Sequence, residues 1–149
     1  SPTSTGTKKR DSNMQRPIMT SRSFLRTPSE AAGPGDEQVI EDLVDTLEAN
    51  RSRCVGMAAN MIGVRKRIIC VKDGNRALLM YNPQILEQVN AYQTSEGCLS
   101  LVGERPCTRY RRIKVEYLDE NFVHRIKNFS GYTAEIIQHE IDHCDGIVI

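Results

Sequence analysis

Two histidines four residues apart carry the strongest chemical signal in this sequence. His139-Glu140-Ile141-Asp142-His143 spells H-E-x-x-H, and on a helix that spacing stacks both imidazoles on one face, where their nitrogens can bind one metal ion. Glu140 lies beside them, suited to act on metal-bound water. Catalytic sites of this type take three protein ligands and leave a position for water, so a third ligand is required. Only six residues follow His143, and a histidine ten positions after His139 would fall at Ile149. The third ligand is therefore expected upstream, or at the close-lying Asp145. Among the upstream groups Cys98 stands out in Glu96-Gly97-Cys98-Leu99-Ser100, where the glycine lets the backbone approach a metal or substrate closely. A thiolate ligand must lose its proton to bind, so metal affinity is expected to fall with pH. Cys54, Cys70, Cys107 and Cys144 read as small buried hydrophobes.

These side chains need elements to hold them. Thr133 to Asp145 reads as the metal-bearing helix, with Thr133 or Ser130 as N-cap and Gly146 where a helix should stop. Val39, Ile40, Leu43, Val44 and Leu47 recur at helical spacing behind Asp36, a candidate N-cap, and predict an amphipathic helix packed on a core. Strand-like stretches run over Ile68 to Val71, Ala77 to Tyr81, Arg112 to Leu118 and Phe122 to Phe129. The last two flank a turn at Asp119-Glu120-Asn121 and predict a hairpin. Strands followed by a terminal helix, with no internal repeat, predict an α+β domain.

Composition narrows the class. The 149 residues are 39% hydrophobic, with 20 basic against 19 acidic side chains, as in an ordinary globular domain. A net charge of +1 lacks the attraction a dedicated nucleic-acid or membrane-surface binder uses, so neither partner is expected. No apolar run is long enough to cross a bilayer and no secretory signal opens the chain, which predicts a cytoplasmic protein with reduced thiols. Residues 1–13 hold almost nothing apolar and are expected to be a flexible tail, dispensable or added. Met14 then starts a single domain running to Ile149.

EGCLS at Glu96 to Ser100 and QHEIDH at Gln138 to His143 resemble two signature motifs of the peptide deformylases. A related third motif, G-x-G-x-A-A-x-Q, is recognisable in altered form at Cys54-Val55-Gly56-Met57-Ala58-Ala59-Asn60-Met61, followed by Ile62-Gly63. Weaker similarity covers Phe24-Leu25-Arg26, Asn82-Pro83, Arg109 and Arg112 to Val115. The resemblance implies small antiparallel sheets around a central C-terminal helix. It implies one divalent metal on Cys98, His139 and His143, natively ferrous iron and replaceable by zinc, nickel or cobalt. Removal of the N-formyl group from new polypeptides is the activity it implies, with Glu140 moving the proton and the Leu99 backbone N–H holding the oxyanion. Val55 and Gly56 would pair with an extended peptide, Ile136 would line a methionine pocket, and Glu96 and Arg109 would bridge behind the metal. Ribosome docking through a further C-terminal helix is not expected, since the chain stops at Ile149.

Three departures stand out. Met61 replaces the glutamine that donates to the oxyanion, and a thioether cannot donate. The expectation is attenuated or altered activity; the alternative is a catalytically silent protein that binds blocked peptide N-termini or deformylase inhibitors. Asn60 offers an amide, although neighbouring side chains on extended backbone face opposite ways. Glu135, at i, i+4 from His139, stands where arginine or an apolar residue is common, and either disfavours ordinary substrates or faces solvent. Cys54 takes the place of the motif's first glycine.

Overall fold

A computed structural model describes residues 17–147 apart from Arg53, Asn75 and Leu99. The tail expected at 1–13 and the start at Met14 lie outside the described residues.

The helices are α1 (Arg22–Leu25), α2 (Glu37–Ala49) and α3 (Gly131–Cys144). The strands are β1 (Gly56–Ala58), β2 (Ile68–Asp73), β3 (Arg76–Cys98), β4 (Leu101–Leu118) and β5 (His124–Ser130), with a 3-10 turn at Ala59–Ile62 after β1. All five strands pair antiparallel in chain order, a meander with β1 and β5 at its edges. This is the expected α+β architecture. The small sheets that the resemblance implied are joined into one sheet, because β3 and β4 pair along almost their whole length. Register shifts at Tyr81/Gln84 and Ile85/Glu87 interrupt that pairing and bend the long ribbon.

Strand β2 explains why helices cover both faces of the sheet. Its residues alternate sides: Ile69 and Val71 join the core around α3, while Ile68 and Cys70 join the core around α2 and the 3-10 turn. Helix α2 buries Ile40, Leu43 and Leu47 as its spacing predicts. Asp36 occupies the N-cap position, yet its carboxylate accepts from the Gly33 N–H at 2.9 Å and makes no bond into the helix. Ser130, not Thr133, precedes α3; the Thr133 hydroxyl donates outward to Asp73 instead.

Helix α3 stops where expected. Gly146 has φ +77°, its N–H reaches the His143 carbonyl at 3.1 Å, and the Ile147 N–H reaches Asp142 at 2.9 Å, the paired bonds of a Schellman ending. A Cβ on Gly146 would lie 2.5 Å from the Arg26 carbonyl oxygen, so glycine satisfies both the dihedral and the close approach.

The expected hairpin forms between β4 and β5. Asp119 caps its turn, accepting from Asn121 N–H at 2.9 Å and Val123 N–H at 3.0 Å. Phe122 belongs to this turn and not to the strand. It has φ +59°, and its ring stacks on Tyr81 with centroids 4.3 Å apart.

Candidate metal centre and active site

Helix α3 presents His139, Glu140 and His143 to the interior, all three buried. The end of β3 brings Cys98 to them. Ligand atoms of Cys98, His139 and His143 lie within 4.8 Å of one another, with the Cys98 sulfur 3.2 Å from His143 Nε2. Asp145 is elsewhere, paired with Arg67 at 2.7 Å on the surface, which removes it as the third ligand. One thiolate and two imidazoles converging on a point form a donor set suited to a divalent transition metal.

Behind the ligands lies a charged brace. Glu96 accepts from Arg109 through two bonds, Nε at 3.0 Å and Nη2 at 2.8 Å, and contacts His139 Nδ1 at 2.7 Å. Burial works against a charge on Glu96, but the bonds from His139 and Arg109 outweigh it and hold the carboxyl well below the usual range. An ionised carboxylate only accepts, so His139 keeps its proton on Nδ1 and turns Nε2 toward the ligand cluster. Burial above all, with the positive charge of Arg109 nearby, pulls His143 down to about 3, keeping that ring neutral. Arg109 also donates to Asp142 at 2.6 Å. The expected Glu96–Arg109 bridge is present; its reach to both His139 and Asp142 ties the cysteine-bearing end of β3 to the metal helix.

This brace makes a stability prediction. Replacing Arg109, which is 4% exposed, with leucine strands the Glu96 and Asp142 charges and should cost about 3 kcal/mol or more. Urea unfolding of Arg109→Leu checks it, and a loss under about 1 kcal/mol would show the charges find other partners.

Glu140 is enclosed. Burial pushes its carboxyl up to about 7, and its Oε1 has no hydrogen-bond partner among the described residues. Such a group can take or give a proton near neutrality. Gly56 on β1 makes room for it: a Cβ there would sit 2.5 Å from Ile136 Cγ2 and 3.0 Å from Glu140 Oε2. The sequence motif identified Gly56 through peptide pairing, and its role in letting β1 close on α3 was not legible there.

A cavity of about 330 Å³ opens beside the ligands, lined in part by Val55, Gly56, Met61, Cys98, Ile136 and His139. The expected metal and pocket residues are thus brought together; Leu99 lies outside the described residues. Met61 is fully buried, and its sulfur sits 3.5 Å from the Ala58 N–H. The Asn60 amide does not reach the cavity: its Nδ2 donates to the His143 carbonyl at 2.9 Å, fixing the 3-10 turn to α3. Cys54 also lines the cavity and is only half-buried, so the expectation of a buried hydrophobe fails for it, as for half-buried Cys107; Cys70 and Cys144 are buried as expected. Gln138, the first residue of QHEIDH, clamps α3 to β4. Its Oε1 accepts from the Tyr110 N–H at 2.9 Å and its Nε2 donates to the Tyr110 carbonyl at 2.8 Å.

A helix-borne H-E-x-x-H completed by an upstream cysteine defines a mononuclear metallohydrolase-type site. A sequence profile described as polypeptide deformylase matches residues 14–149, and the chain belongs to that family. It is 52% identical over 136 residues to the peptide deformylase of Clostridium beijerinckii, covering 91% of this chain and 100% of that protein. Its fold is similar to a Met-Ala-Ser-bound class I type b peptide deformylase from Acinetobacter baumannii. There the TM-score is 0.82 and the identity 27%, over 90% of this chain and 96% of that one. The peptide deformylase from Thermus thermophilus gives 0.80 at 34% identity, over 89% and 82% of the two chains. The chain is therefore a metal-dependent hydrolase with deformylase activity.

Proposed function

We propose that this chain removes the N-formyl group from formylmethionyl peptides at a divalent metal held by Cys98, His139 and His143, with Glu140 moving the proton. The observation that carries this reading is the convergence of those three ligands next to the buried Glu140 carboxyl on the same helix, with Cys98 and His139 on the wall of a cavity. Cys98, His139 and His143 would hold the metal, which when bound would supply Lewis-acid chemistry toward water and the formyl carbonyl. Glu140 accepts a proton as the nucleophile forms and returns it to the departing amine. The Leu99 backbone N–H is the protein's own donor to the oxyanion. Ferrous iron is the native metal in this reading, with zinc, nickel and cobalt able to replace it.

Substrate enters as an extended strand. Strand β1 is a sheet edge, which leaves one side of Gly56 and its neighbour Val55 available for backbone pairing with a peptide. Ile136, on the cavity wall, receives the methionine side chain. The Acinetobacter relative bound to Met-Ala-Ser supports a short formylated peptide of that sequence as the test substrate. Residues 14–149 act as the single catalytic domain. Among the described residues no helix is long and apolar enough to cross a membrane, and we assign the protein to the cytoplasm.

Formate release from formyl-Met-Ala-Ser by the ferrous or nickel form tests this reading. Turnover with no cleavage of an unblocked internal peptide bond is expected. Binding of the peptide at full metal occupancy without formate release would instead indicate a silent protein that captures blocked N-termini or deformylase inhibitors.

A further inference from the structure

We propose that Glu135 is a specificity-determining residue that favours formylated peptides carrying a cationic side chain in the two positions after the methionine. The inference rests on the deformylase reading above and concerns the choice among its substrates.

The charge around the cavity is one-sided. Its carboxylates are Glu96 and Glu135, and no lysine or arginine lines it among the described residues. Glu96 is committed to Arg109 and His139. Glu135, one turn before His139 on α3, is half-buried, so it is not the solvated face residue it could have been. Its Oε1 accepts from the Tyr92 hydroxyl at 3.2 Å, and among the described residues no lysine or arginine forms an ion pair with it. Burial and the adjacent Glu96 carboxyl both disfavour its charge. A cation brought alongside relieves that penalty, whereas a second anion adds to it.

Position says which part of a peptide meets this charge. Glu135 and Tyr132 line the metal-facing cavity and also a neighbouring one of about 560 Å³ that includes Tyr92 and Arg111. Glu135 therefore stands where the two meet, beyond the space beside the ligands. Residues after the one bound at the metal are the ones within its reach. Arg111, which lies over the Tyr92 ring 4.7 Å from its centroid, and Arg112 line that neighbouring cavity and would attract a carboxylate, so the peptides are amidated and the effect of Glu135 is read from the change its variants make on the same peptides.

The test compares formyl-Met-Lys-Ser-NH2 and formyl-Met-Ala-Lys-NH2 with their glutamate counterparts, using the metal-loaded full chain. Wild type should favour lysine in kcat/KM by about two- to fivefold at one of the two positions, the range of a partly exposed ion pair. Glu135→Gln should bring that ratio near one and Glu135→Lys should invert it. A wild-type ratio near one at both positions, or a ratio that both variants leave unchanged, would overturn the proposal. Uncharged formyl-Met-Ala-Ser-NH2 judges the deformylase reading separately. If it is not turned over, calorimetric affinities for the same charged peptides give the ratio in its place.

Discussion

Replacing Glu140 with glutamine lowers kcat on a formylated peptide by about 10²- to 10⁴-fold, the usual worth of a positioned general acid–base, while the metal stays bound. Glutamine keeps the shape of glutamate, and the site is tight. Gly56 already lacks the Cβ that would press on Ile136 and Glu140, so an isosteric change is the one that isolates proton transfer. Glu140 is outside the Cys98, His139 and His143 cluster, and the Glu96–Arg109 brace contacts His139 rather than Glu140. Metal content should therefore hold. Formate release and metal analysis on the same sample check both halves. A variant that keeps its metal and its full rate would remove Glu140 from the chemistry.

Met61→Gln works in the opposite direction, raising kcat on formyl-Met-Ala-Ser by up to about 10²-fold with a smaller change in KM. The missing donor would act more strongly on the transition-state oxyanion than on the ground-state carbonyl, so its return belongs in kcat. The local geometry favours a productive pose. Met61 sulfur sits 3.5 Å from the Ala58 N–H. A glutamine of nearly the same length can accept there through its oxygen, leaving its amide N–H₂ for the cavity. Asn60 is no substitute, since its amide is engaged by the His143 carbonyl. Steady-state kinetics of the metal-loaded variant decide it. An unchanged rate with metal bound would show that the absent amide does not limit turnover and would direct attention to Glu135 and Cys54 on the same cavity wall.

Much of the site was legible because its signals are local. H-E-x-x-H needs only one helix, and the glycine before Cys98 marks the segment that meets it; the C-terminal stop of α3 and the apolar stripe of α2 follow from spacing over a few residues, whereas the start of α3 at Gly131 was left open between Ser130 and Thr133. What was hidden depends on distant partners. Strand β3 continues to Cys98 where the sequence marked only Ala77 to Tyr81. Residues 84–95 are mostly polar and exposed, and positive φ at Asn82 and Asn90 interrupts any simple alternation. Cross-strand bonds to β4 hold that stretch, so its strand state is a property of the pair. The Arg109–Asp142 bond joins residues 33 positions apart, and Tyr92–Glu135 joins residues 43 apart. In sequence the solvent-facing reading of Glu135 is slightly favoured; its half-burial and its bond to Tyr92 on β3 depend on that distant partner. The placement of β1 against α3 is likewise tertiary, which is why Gly56 signals its motif in sequence and its packing only in three dimensions.

The central claim is that Cys98, His139 and His143 together hold the metal on which this chemistry depends. Metal content of Cys98→Ala and His139→Ala, measured after loading and dialysis beside wild type and with folding confirmed by circular dichroism, tests it most directly. A site built from three protein ligands should lose most of its metal when either is removed, so both folded variants should fall far below wild-type occupancy. Stoichiometric metal retained by both would contradict the account.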